Sequence, residues 1–137
     1  MIIRGTTPYH NFILPILAED IKTIWITYCQ NDDIIFERTS EVEDANMSIT
    51  NFVNLYENAS MEQLTEEEQQ CSQLTLHLTQ EETLKFHFYP AARKNIAVIQ
   101  IRILTNDDEA YASEPIKERI FGVRHEGVIG EESKEEE

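Results

Sequence analysis

Lysine and arginine are scarce in this 137-residue chain: 11 basic side chains face 26 acidic ones, a formal charge of -15. A surface that tracks nucleic-acid phosphates or an anionic membrane leaflet is built from those missing residues, so neither partner is expected. Glycine is equally sparse, with four in all, which leaves no glycine-rich loop to cradle a phosphate. The two cysteines, Cys29 and Cys71, form no disulfide framework and match no zinc spacing; both read as reduced, small hydrophobes. No apolar run approaches the ~20 residues of a membrane-spanning helix, and the opening MIIRGTTPYH lacks the order of a signal peptide. Maturation in a cytoplasm is the expectation. There is no G-x-S-x-G elbow and no H-E-x-x-H.

What is present is enough to fold. Hydrophobic residues make up 41% of the chain, too many for wholesale disorder, and the length suits one domain. The charge is unevenly placed. Residues 1–40 hold five acids and three bases and residues 71–124 seven of each, whereas residues 41–70 hold eight acids with no base and residues 125–137 six acids with one base. A nearly neutral module of 94 residues is therefore expected to carry an acidic insert at 41–70 and a solvated, flexible acidic tail at 125–137.

Within that module the apolar residues alternate, as in strands with one buried face. HNFILPI puts Phe12, Leu14 and Ile16 together, with Pro15 ending its pairing; KTIWITYCQ turns Ile24, Ile26 and Tyr28 inward. The break Asn31-Asp32-Asp33 predicts a hairpin from Thr23 to about Thr39. CSQLTLHLT buries Leu74, Leu76 and Leu78, and Thr79-Gln80-Glu81-Glu82 reads as a capping box opening a short helix. NIAVIQIRILT, with Ala97, Ile99, Ile101 and Ile103 inward, is long enough to be a central strand. It turns at 106–109 and returns through Ile116 and Ile120, with Pro115 at the returning strand's start. Short strands joined by polar turns predict a mainly β fold, an antiparallel two-sheet sandwich over residues 1–124. The insert reads as helical: Ile49, Phe52, Val53 and Tyr56 recur at helical spacing behind Ser48, and beyond them either a second helix opens at Ser60 or a looser acidic loop packs Met61 and Leu64.

Chemistry is thinly represented. Cys29 with His77 is the one pairing that could make a thiolate nucleophile, and only if the fold joins them. His87, within FHFYP, reads as a structural histidine. The carboxylates at Asp32-Asp33 and Asp107-Asp108-Glu109 could gather calcium, but turn-capping accounts for them. Glu66-Glu67-Glu68 reads as a solvated helical face. No catalytic residue, metal or cofactor is expected. Trp25 is the odd residue, placed by alternation on the polar face with Thr23 and Thr27, where it is either a partner contact or covered by the insert.

Arg4-Gly5-Thr6-Thr7-Pro8 before the first strand, LTQEETLKF at 78–86 and IQIRILTNDD at 99–108 occur together and in order. In these the chain resembles the small immunoglobulin-like proteins of tail-module gene clusters in tailed phages and prophages of Gram-positive hosts, relatives of the N-terminal domain of phage upper baseplate proteins. The resemblance covers residues 1–40 and 71–124 and implies an immunoglobulin-like β-sandwich. It implies a non-enzymatic virion protein, assembled in the host cytoplasm, whose partners are other tail or baseplate proteins or further copies of itself. Those relatives have a short connection where residues 41–70 stand. Candidate partner contacts are Arg4, Thr6 and Thr7, as an extended arm adding a strand to a neighbour, with Trp25 and the insert's Phe52 and Tyr56. Two other classes fit less: a glycan-binding module using Trp25, Tyr28 and Tyr89, and an acidic DNA-mimic inhibitor.

Overall fold

The computed structural model describes residues 1–42, 46–55, 65–90 and 95–122. They form nine strands and two short helices: β1 (Ile2–Ile3), β2 (Tyr9–Leu14), β3 (Ile21–Gln30), β4 (Asp33–Thr39), β5 (Met47–Asn51), α1 (Phe52–Leu55), β6 (Ser72–His77), α2 (Gln80–Leu84), β7 (Ile96–Thr105), β8 (Ala110–Ala112) and β9 (Ile116–Phe121). The fold is mainly β, with curled sheets. The larger sheet runs β1-β9-β7-β3-β4 with β8 also on β7, and the smaller runs β2-β6-β5.

The alternating faces bury as the sequence predicts. In the β3–β7 ladder, Ile24 lies opposite Ile103, Ile26 opposite Ile101 and Tyr28 opposite Ile99, all on the inner face. Leu74 and Leu76 of β6, with Leu78 beyond it and Leu14 of β2, join them in one buried cluster drawn from both sheets. Removal of such side chains from water, at ~1.5–3 kcal/mol each, is the main force holding the sheets together. β7 is central, as its length and unbroken apolar face indicated.

The turns follow from residue chemistry. Asn31 and Asp32 both adopt positive φ, 53° and 68°, making the two-residue hairpin whose twist matches the flanking strands. Thr79 Oγ1 accepts from the Glu82 N–H at 3.2 Å, and Glu82 Oε1 accepts from the Thr79 N–H at 2.9 Å, so the capping box forms as read. Pro15 follows the last residue of β2 and Pro115 precedes the first of β9, positions where a missing N–H costs nothing.

Three expectations are corrected. The larger sheet is mixed, because β1 pairs parallel with β9 (Ile2 with Ile120, Ile3 with Phe121); a strand that opens the chain can lie beside the closing strand in either direction. Residues 47–51 form a strand rather than the start of a helix. Met47 and Ile49 alternate with Ser48 and Thr50, the edge of β6 offers Leu76 through Ser72 as partners, and β-branched Ile49 and Thr50 suit that pleat. Among the described residues of the insert, α-helix spans Phe52–Leu55, and Ser48 caps nothing helical. The acidic segment is thus no mere addition, since its middle supplies the third strand of the smaller sheet. Residues 66–68 present no long helical face; Thr65 and Glu68 cap each other reciprocally at a 3-10 turn, Glu68–Gln70. The helix or loop expected from Ser60 and the tail 125–137 lie outside the described residues.

Candidate functional site

Among the six candidate contacts, Arg4 and Thr6 are engaged within the chain. The Arg4 guanidinium donates to the carbonyls of Phe86 (2.8 Å) and Leu84 (3.2 Å) at the end of α2, and its N–H donates to the Phe121 carbonyl. Thr83, fully buried on α2, accepts from the Gly5 N–H at 3.0 Å and donates to the Thr6 carbonyl at 2.9 Å. Gly5 needs its φ of 80° to present both groups. The extended arm expected at 4–7 is therefore docked against α2 and β9, with only the Thr6 and Thr7 side chains facing solvent. Phe52 is buried, and Tyr56 lies outside the described residues.

Trp25 is half-buried on the outer face of the larger sheet, in a shallow depression of about 340 Å³ shared with Thr23, Arg102, Leu104 and Tyr111. Tyr28 points the other way. It is fully buried, stacked on Phe36 with ring centroids 4.4 Å apart, while Tyr89 is half-exposed. The aromatic trio of the glycan reading therefore does not share a face, because Trp25 and Tyr28 sit at odd and even positions of one strand.

The titratable groups give little for catalysis. Burial, followed by the charges of Glu37 and Asp32, raises the Cys29 thiol above its ordinary value, the reverse of nucleophile activation. His77 stacks on Tyr9 at 4.0 Å. Gln30 holds His87 by its backbone, donating to the carbonyl and accepting from the N–H, both at 2.7 Å, while the imidazole is exposed beside Tyr89. Asp32 and Asp108 have positive φ in their turns, and Asp108 pairs with Lys22. Among the described residues no group of three or more His, Cys, Asp or Glu gathers as a metal site. A buried polar pair joins the sheets: His10 Nδ1 and the Tyr28 hydroxyl lie 2.8 Å apart, and among the described residues His10 Nε2 reaches no hydrogen-bond partner. Burial lowers His10 and raises Tyr28, keeping both neutral.

One concavity was not anticipated. A groove of about 850 Å³ runs between β2 and the β7–β8–β9 side of the larger sheet, lined by Phe12, Leu14, Ile16, Ile101, Ile103 and Ile116. It exists because the three-stranded sheet does not cover the whole inner face of its wider partner. Asp20, Asp107 and Glu109 line it too, with no lysine or arginine among the described residues of the lining. Ile13 beside it is 70% exposed and Tyr111 55%. One signal was readable: HNFILPI carries apolar residues in both phases, and a strand with a single buried face has no use for Ile13.

No protein-family model, curated protein or solved structure matches the chain.

Proposed function

We propose that this protein is a non-enzymatic structural or assembly component of a phage tail or baseplate, with an immunoglobulin-like β-sandwich that works by protein–protein contact. The observation carrying this reading is the uncovered side of the fold: an apolar groove flanked by strand edges that pair with nothing else among the described residues. Surfaces of that kind serve association more readily than chemistry. The ordered resemblance of Arg4–Pro8, residues 78–86 and residues 99–108 to the phage proteins supports the virion setting. Within that setting, Arg4 and Thr83 act as internal fasteners, and the acidic balance suits basic partner surfaces. A mass-spectrometric inventory of purified particles from a lysate containing this chain tests the proposal. Stoichiometric presence in particles is expected; a free monomer in the lysate with none in particles would refute it.

A further inference from the structure

We infer that the free edge of β2 and the adjoining groove accept an extended segment of a partner protein, one with alternating apolar side chains and a lysine- or arginine-bearing end. The inference rests on the protein-contact part of the proposed function and not on the virion setting.

The edge is defined by hydrogen bonding. Pro8's carbonyl accepts from the Leu78 N–H at 2.9 Å, which makes Pro8 and Leu78 a hydrogen-bonded pair in the β2–β6 register. Backbone groups along an antiparallel strand alternate in direction, so those of His10, Phe12 and Leu14 also face β6. Those of Tyr9, Asn11 and Ile13 face the other way, where no described strand lies. A six-residue strand with three consecutive outward positions is a template for strand addition.

The groove supplies the rest of the site. An added strand would lie over Ile101, Ile103 and Ile116, so every second side chain of the guest would enter apolar space while the intervening ones met solvent. Asp20, Asp107 and Glu109 stand together near the β7–β8 turn, and none has a cationic partner among the described residues. That end of the groove therefore selects a positive charge. This charge also disfavours the chain's own acidic C-terminal residues as occupant.

The test uses the full chain and a short synthetic peptide of alternating valine and threonine with a lysine pair at one end. Backbone NMR and amide exchange are followed with and without it. Binding should slow exchange at Tyr9, Asn11 and Ile13, weaken with salt, and fail for a peptide ending in a glutamate pair. Ile13→Pro removes an N–H that β6 does not use, so the fold should survive while affinity falls roughly tenfold, the equivalent of one or two hydrogen bonds. Asp20→Lys combined with Asp107→Lys should leave a folded chain that binds the lysine peptide roughly fivefold more weakly. Three results would overturn the inference: no protection at β2 with any peptide, protection in the free chain that deletion of residues 123–137 abolishes, or a self-associated chain that Ile13→Pro dissociates. Absence of the protein from virions would leave all of these readouts unchanged, so the two proposals fail separately.

Discussion

Arg38→Met should be among the most damaging single substitutions outside the aliphatic core. Arg38 on β4 grips Glu82 of α2 with two nitrogens, one bond being 2.6 Å, and also donates to the His77 carbonyl at 3.1 Å. The two side chains are only 11% and 14% exposed. Removing the cation leaves a largely buried carboxylate whose remaining described partner is the Thr79 N–H. Breaking a buried pair in this way costs ~3–5 kcal/mol, reduced to about 2–4 kcal/mol by the surviving cap, or a fall in Tm of roughly 10 °C. Burial alone would raise the Glu82 carboxyl, but the bonds from Arg38 and Thr79 together outweigh it and hold the group below its ordinary value. Its stabilising contribution is therefore complete above the ordinary carboxylate value and is lost as pH falls through the folded one. The gap between wild type and Arg38→Met, measured by urea unfolding monitored by circular dichroism, should narrow below about pH 4. Adding Glu82→Gln to Arg38→Met should recover part of the loss, because no buried charge is then left unpaired. Equal stabilities at pH 7, or a gap that neither acid nor the second substitution changes, would refute the argument.

Thr83→Val keeps the shape of the side chain but strips the Gly5 N–H and the Thr6 carbonyl of their partner; about 2–4 kcal/mol should be lost in the same assay, with amide exchange at Gly5 accelerated. Gly122→Ala would set its Cβ 2.7 Å from the Phe88 ring, so a loss of ~1–3 kcal/mol is expected and should be relieved by adding Phe88→Leu. Desolvation is the main influence on His10 and lowers it; Glu118 and the Met1 carbonyl act in the opposite sense, and the N-terminal ammonium adds to the lowering. The unfolded chain thus binds the proton more readily, and stability should be full above pH 6.5 and decline as pH drops from there to the lowered folded value. Thermal melts between pH 8 and 5 should show that decline, and His10→Gln should flatten it; an unchanged slope would show that His10 is not its source.

The strands, the hairpin and the capping box were legible because each is written in local spacing. Ile24, Ile26 and Tyr28 alternate, Asn31-Asp32 tolerates positive φ, and Thr79 stands three residues before Glu82. Met47–Asn51 was misread because five residues with Ile49 at their centre satisfy either period, and the deciding factor, an open edge on β6, is a tertiary fact. The parallel placement of β1 and the docking of Arg4 onto α2 span 80 residues of sequence or more and have no local signature. The groove was hidden for a related reason. It arises from the unequal widths of two sheets, and only the second apolar phase of β2, at Ile13, hinted that this strand has a use beyond the core.

The free edge of β2 is the proposed contact surface on which the other proposals depend. Replacing Ile13 with a photo-cross-linking amino acid in the chain expressed during particle assembly tests it directly, with exposed Glu81 on α2 as the control position. If the proposed virion role holds, a cross-link is expected from position 13, and none from position 81, to an extended segment of a neighbouring protein in the purified particle. Cross-linking at position 81 alone, or at neither position in particles that contain the chain, would contradict it.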